Sequence, residues 1–297
     1  MKKEIEQRKY IFIREKIIWF SLSFVIKLLN KLKYKYEVIL KTNENSFYLR
    51  ENGITLKNSE FNPHLLHGFY PKEIIYGNLL VNKLKKILDK HKINLNYIVD
   101  IGSNIGLMTF PLSKNFPTAK IISIEGSKLN YEILKSNSLI QNFDITNIHF
   151  VNELVGENAK KVNFIEGLGE KSQILDENIL NYKYLKKNKH NTLISKEMIS
   201  LEKILEKYKF PNIDYCKIDI EGSEIYLIKS LLLIKPKIIT IEYNFQKITS
   251  INFIINIKKI IELGYVIYSD ELDIIDDLEN HILNNKKTDL WLIEKNE

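Results

Sequence analysis

Past residue 96 the chain settles into a rhythm of short apolar runs and longer amphipathic stretches. The apolar runs lie at residues 97–101, 120–124, 145–151, 213–220, 237–243 and 265–268, and helical periodicity fills most of the gaps. Strands alternating with helices of this length predict an α/β fold: a doubly wound, mostly parallel sheet covered on both faces. That domain is expected to run from about residue 91 to residue 297, with residues 1–90 as a smaller helical and β extension. Within the extension, residues 36–57 carry short β patterns, with a hairpin expected at Asn52-Gly53, a pair that supplies positive φ for a tight turn. An aromatic segment follows, in which Pro63 and Pro71 are expected to break regular structure, and then a helix from about residue 78 to residue 90. Residues 175–196, with the basic run NYKYLKKNKHN, read as a solvated loop.

The apolar stretch at residues 17–29 changes this picture little, because its uncharged run is about ten residues long. A bilayer crossing needs roughly 20. The stretch reads as a packed helix, with weak peripheral membrane contact through residues 10–30 as the alternative. It has no small-residue cleavage site, so no signal peptide is read. A hydrophobic share of 44% over 297 residues is enough for a full core. The net charge of +7 would suit an anionic partner, but Lys, Ile and Asn are enriched from end to end, and charge alone therefore selects none. The single cysteine, Cys216, excludes an internal disulfide and a Cys-rich zinc site and fits a reducing, cytoplasmic location. Peripheral contact with the inner face of a membrane is the alternative location.

The candidate chemistry starts at IVDIGSNIG, residues 98–106, where an apolar strand ends in Asp100 and runs into Gly102 and Gly106. In a doubly wound sheet the first strand-to-helix turn brings backbone close to a ligand, and glycine permits that approach. The following helix, expected at about residues 105–113, directs its N-terminus at the pocket. The spacing is not the G-x-G-x-x-G of a dinucleotide site, and a carboxylate ahead of the turn would repel a pyrophosphate. A second strand ends in Glu125, 19 residues beyond Gly106, where an acidic side chain can accept both hydroxyls of a ribose. A ribose and a positive charge without a phosphate describe S-adenosylmethionine. The plainer alternative is an ordinary strand-to-helix turn and a solvated carboxylate.

The segments IVDIGSNIG, IISIEGSKLNYEILKSNSLIQN, ISLEKIL, YCKIDIEGSEIYLIKS and IITIEYN together resemble the class I methyltransferases, and more closely the FkbM-like family. The resemblance covers about residues 97–244, and KIDIEGSE is its most specific part. It implies a Rossmann-like seven-stranded sheet with an antiparallel last strand, for which residues 288–295 are the candidate. It also implies that Asp100, Gly102, Asn104 and Gly106 line the methionine part of S-adenosylmethionine. Glu125 would hold the ribose, and Asn152 and Glu153 would lie near the adenine.

Methyl transfer is an in-line displacement, so the protein chiefly aligns a nucleophile and, for a hydroxyl, takes up its proton. Alternation places Lys217, Asp219 and Glu221 on one side of their strand, with the carboxylates at its carboxyl edge. Asp219 is the first choice for positioning or deprotonating an acceptor, and Glu221 the second. The alternatives are an ion pair between Asp219 and Lys217 and a helix-capping role for Glu221. Glu242 and Asn244 share a face at the end of the next strand and are further candidates, for the acceptor or for a cation; no tight ligand cluster is visible, and no metal is expected. His64 and His67 are weaker candidates for a base. Cys216 lies inside a strand, which argues against a cytosine-C5 chemistry, and DIEG replaces the Pro-Pro motif of base-amino methyltransferases. The expected reaction is O-methylation of a sugar, glycan or other small metabolite. RNA ribose methylation ranks lower without aromatic stacking motifs or a dense Arg patch, so nucleic acid is not the expected partner. A non-catalytic scaffold and a nicotinamide oxidoreductase are the remaining alternatives.

Overall fold

The computed structural model describes residues 38–41, 46–49, 70–139, 141, 143–166, 172–175, 192–220, 222–244, 250–285 and 287–295. The expected helix at residues 17–29, the alternative membrane contact at residues 10–30, the Asn52-Gly53 hairpin, Pro63, His64, His67 and Glu221 lie outside them.

An antiparallel hairpin of β1 (Val38–Lys41) and β2 (Ser46–Leu49) comes first. Helix α1 (Tyr70–His91) starts earlier than the hydrophobic pattern predicts. Pro71 falls in its first turn, where a missing N–H costs nothing, so this proline opens the helix instead of breaking it. The apolar positions Leu80, Val81, Leu84, Ile87 and Leu88 recur at helical spacing and are buried in one cluster with Ile98, Phe110 and Ile121. Each such side chain contributes about 1.5–3 kcal/mol by leaving water.

The alternating elements then follow: β3 (Tyr97–Ile101), α2 (Thr109–Asn115), β4 (Lys120–Ile124), α3 (Lys128–Ser138) and β5 (Ile148–Val151). Next come β6 (Leu154–Val155), β7 (Lys161–Glu166), β8 (Gln173–Leu175) and β9 (Thr192–Ile199). The chain continues with α4 (Leu201–Tyr208), β10 (Tyr215–Ile218), a 3-10 turn at Glu224–Leu227, α5 (Ile228–Ile234) and β11 (Ile238–Asn244). It closes with α6 (Ser250–Ile261), β12 (Tyr265–Tyr268), α7 (Leu278–Asn284) and β13 (Lys287–Glu294).

The main sheet has seven strands in the order β12-β13-β11-β10-β3-β4-β5. β13 runs antiparallel between β11 and β12, and the pairings from β11 to β5 are parallel. This is the doubly wound sheet with an antiparallel late strand expected from the sequence, and the strand order reverses beside β3, where such sheets bind ligands. Its interior strands read as apolar runs because helices cover both faces. Trp291 of β13 is fully buried and stacks on Tyr215 of β10 at 6.2 Å.

Three further boundaries differ from the sequence reading. β5 begins at Ile148 and not at residue 145, because Asp144 turns the chain by accepting from the Thr146 N–H at 2.8 Å. β10 stops at Ile218, so Asp219 stands just past the strand. Helix α2 begins at Thr109 and not near residue 105, because Gly102, Asn104 and Gly106 all adopt positive φ, which a helix does not tolerate.

A second sheet, in the order β6-β9-β7-β8, is built from residues after β5. Its strand β9 begins inside the stretch read as a solvated loop. The inward residues of β9 are Ile194, Lys196 and Met198, and a lysine at an inner position disguises the alternation.

Candidate functional site

A cleft opens at the carboxyl ends of β3, β4 and β10, with the second sheet along one side. The turn after β3 forms its floor. The Gly102 and Ser103 N–H groups both donate to the Ile124 carbonyl at 2.9 Å, tying this turn to the end of β4. Gly102 has φ of +81°, and a Cβ there would lie 1.9 Å from the Asp219 carbonyl oxygen, so the turns after β3 and β10 touch backbone to backbone. Gly106, with φ of +96°, lies against Phe110 and Leu134, and a Cβ there would meet the Phe110 ring at 2.2 Å. Gly102 thus brings the backbone to the cleft, while Gly106 packs the turn onto α2 and α3.

Asp100 lies behind this floor and is fully buried. Its Oδ2 accepts from Thr109 Oγ1 at 2.7 Å, and Thr109 and Ser123 continue a hydroxyl chain to Ser103. Its Oδ1 has no hydrogen-bond partner among the described residues. Burial raises the Asp100 pKa, and the charge of Lys217 and the Thr109 hydrogen bond oppose the rise.

Glu125 stands just past β4 at the cleft wall and is 6% exposed. One carboxylate oxygen accepts from the Asn104 N–H at 2.8 Å and the other from the Ser127 N–H at 2.7 Å. Burial still dominates, and the pKa is raised from 4.5 to about 7. Asn152 sits beneath this turn: its amide donates to the carbonyls of Glu125 at 2.7 Å and Gly126 at 3.4 Å. Lys196 of β9 donates to the Gly126 carbonyl at 2.6 Å, which fastens the second sheet to the same turn. Its charge lies near Glu125, Glu153 and Glu166.

At the β10 end, Lys217 donates to Asp219 Oδ2 at 3.0 Å, which is the ion pair weighed as an alternative in the sequence. The lysine side chain is 7% exposed and that of Asp219 34%, so the cation is deep and the carboxylate faces outward. Burial alone would lower the Lys217 pKa, but Asp219 and Asp100 outweigh it and hold the ammonium above its ordinary range. Glu224 folds the following turn by accepting from the N–H groups of Ile220 at 3.3 Å and Gly222 at 3.2 Å.

Of the residues singled out in the sequence, Gly102, Asn104, Glu125, Glu153 and Asp219 line the cleft. Asp100, Gly106 and Asn152 do not, and act from behind it. Glu242 is not among the lining residues either: it is paired in register with Asp289 of β13, on the far side of β10. Asn244 ends β11. Sequence reasoning passed over Lys196, Phe164 and Ser223, of which the last two line the cleft. Ser223 Oγ and Asn104 Oδ1 are buried with no hydrogen-bond partner among the described residues. The GSE run after Asp219 was the available signal for Ser223. Among the described residues no three metal-ligating side chains converge, and no helix is long and apolar enough to cross a membrane.

Among curated proteins, none matches this sequence closely enough to count as a relative. Solved structures with a similar chain trace include a SAM-dependent methyltransferase from Agrobacterium tumefaciens, at 10% identity over 88% of this chain and 70% of that one, with a TM-score of 0.45. The plantazolicin methyltransferase BpumL, in complex with a pentazolic desmethylPZN analog and SAH, is 13% identical over 78% of this chain and 88% of its own, with a TM-score of 0.43. A precorrin-6y C5,15-methyltransferase from Geobacter metallireducens is 11% identical over 70% and 84%, with a TM-score of 0.38. The model of the methyltransferase FkbM domain matches residues 100–279, which hold the glycine turn, Glu125 and the Lys217–Asp219 pair. The match spans more than half of the chain, and the chain therefore belongs to the FkbM-domain methyltransferases.

Proposed function

We propose that the protein O-methylates a hydroxyl of a sugar, glycan or other small metabolite, with S-adenosylmethionine as the methyl donor. The cleft fits this cofactor: Glu125 offers a buried carboxylate to ribose hydroxyls, Gly102 lets backbone approach, and Asn104 Oδ1 is buried with no partner among the described residues. Glu153, at the same end of the cleft, is the candidate neighbour of the adenine. When bound, the cofactor supplies an electrophilic methyl group on a sulfonium.

The observation that carries the acceptor reading is the position of Asp219. Its carboxylate lines the cleft, is about a third exposed, and is flanked by the Lys217 ammonium at 3.0 Å. A carboxylate so placed accepts a hydrogen bond from an incoming hydroxyl, orients its lone pair and takes its proton. Glu221 is the secondary candidate for the same task. The buried, single Cys216 suits a reducing compartment, and we take the cytoplasm as the place of work.

Calorimetric titration with S-adenosylmethionine and S-adenosylhomocysteine tests the cofactor. Mass-spectrometric screening of matched hydroxyl and amine acceptors tests the reaction. Binding followed by a gain of one methyl on hydroxyl compounds is expected. Absence of binding by the folded protein would sink the cofactor reading, and turnover confined to amines would sink the acceptor reading.

A further inference from the structure

A lysine in an interior strand of a parallel sheet is a costly placement. Lys217 stands on β10 in register with Asp100 of β3 and Thr240 of β11, and its side chain is 7% exposed. An ammonium taken out of water costs several kcal/mol unless its donors are used. It has three donors, and one goes to Asp219 Oδ2. Asp100 contributes charge without a hydrogen bond, because its Oδ2 accepts from Thr109 and its Oδ1 has no partner among the described residues. Lys217 is also the sole cation among the described residues that line the cleft.

With both carboxyl groups ionised, Asp100, Lys217 and Asp219 sum to one net negative charge. This arrangement matches a ligand that is net positive and still has an anion to place on a lysine. S-adenosylmethionine has both, since its amino-acid end joins a carboxylate and an ammonium to the sulfonium. Glu125, the ribose candidate, directly follows β4, and β10 lies two strands away, about 10 Å across the sheet. That distance is comparable to the reach from a ribose to the carboxylate of an extended amino-acid tail.

We infer that the Lys217 ammonium receives the carboxylate of the cofactor's amino-acid end and makes the protein select ligands that carry it. The inference rests on the cofactor reading above. Lys217 lies deeper than Asp219, which leaves the carboxylate of Asp219 toward the acceptor side of the cleft.

The test is calorimetry on the full chain with S-adenosylhomocysteine and with 5′-(3-aminopropylthio)-5′-deoxyadenosine, which differs only in lacking the carboxylate. Wild type is expected to prefer S-adenosylhomocysteine by roughly 10- to 100-fold, the range of a hydrogen bond to a charged group. In Lys217→Met the preference should fall below about threefold, through weaker binding of S-adenosylhomocysteine and no loss for the amine. Equal affinity of wild type for the two ligands overturns the inference while leaving the cofactor reading in place. So does an undiminished preference in Lys217→Met. Wild type that binds neither ligand overturns both. If Lys217→Met does not fold, because Asp100 and Asp219 lose their counter-charge, the wild-type pair of titrations decides alone.

Discussion

The carbonyl oxygen of Asp219 occupies the space that a Cβ on Gly102 would need, 1.9 Å from its ideal position. The turn that brings backbone to the cofactor and the turn that carries the candidate catalytic carboxylate are therefore fitted to each other. Gly102→Ala would have to move one of them and would also force a side chain onto a φ of +81°. We expect a loss of more than about 2 kcal/mol in denaturant unfolding and at least about tenfold weaker S-adenosylhomocysteine binding. Unchanged stability would show that the two turns are free to separate.

Glu125 makes both stability and binding depend on pH. Its pKa is raised from 4.5 to about 7, so the folded chain holds a proton that the unfolded chain releases. The associated stability is fully present below pH 4.5 and is lost as pH rises through about 7, amounting to about 3 kcal/mol. In the proposed role of Glu125, ribose hydroxyls donate to its ionised form, so cofactor affinity should change in the opposite sense, rising about tenfold between pH 6 and pH 8. Denaturation and calorimetry across this range, with Glu125→Gln as a control that should flatten both trends, provide the measurement.

Asp219→Asn should lower kcat by about 100-fold or more, the usual worth of a positioned general base. The dissociation constant for S-adenosylhomocysteine should change by less than about fivefold, because the amide keeps the shape of the turn. Glu242→Gln, outside the cleft lining, should keep kcat within about twofold. Steady-state kinetics on the two variants with an identified acceptor would separate these roles, and equal losses in both would return Glu242 to the site.

The thiol of Cys216 should be inert in the native protein. Burial, reinforced by the nearby Asp100 carboxylate, pushes its pKa far up, and the thiolate is the reactive form. A disulfide reagent is expected to label the chain only after denaturation, and Cys216→Ala should retain turnover. Rapid labelling of the folded protein would contradict the strand's position in the sheet interior.

The legible parts of this site are those where the backbone demands a particular residue. Gly102 and Gly106 are visible because few side chains tolerate their φ, and Glu125 because a carboxylate stands out at the end of an apolar strand. Asn104 also adopts positive φ, at +50°, which its short side chain tolerates less conspicuously than glycine would. The hydrogen bond from Lys196 to Gly126 joins residues 70 positions apart, and no local pattern announces it. The resemblance implies that Asn152 lies near the adenine, and the two hydrogen bonds from its amide to the carbonyls of Glu125 and Gly126 are likewise not announced by any local pattern. The start of α1 was hidden by Pro71, a residue that reads as a breaker unless it occupies the first turn. Lys217 was legible as a charge in a strand. Its depth relative to Asp219 depends on neighbouring strands and could not be read from alternation alone.

Strand β13 is laid down after all its neighbours have been made, yet it enters between two of them, β11 and β12. During synthesis on the ribosome, the half of the sheet from β10 to β5 can form from residues already emerged. The edge beyond β11 must wait for residues 287–294. Until then, β11 presents an open, apolar border of unpaired backbone groups to the crowded cell, the kind of border that recruits stray strands. A stop codon ahead of residue 287 would leave that border permanently open. Such a shortened chain is expected to be captured by chaperones or aggregate, even though every residue of the cofactor cleft described above would still be present.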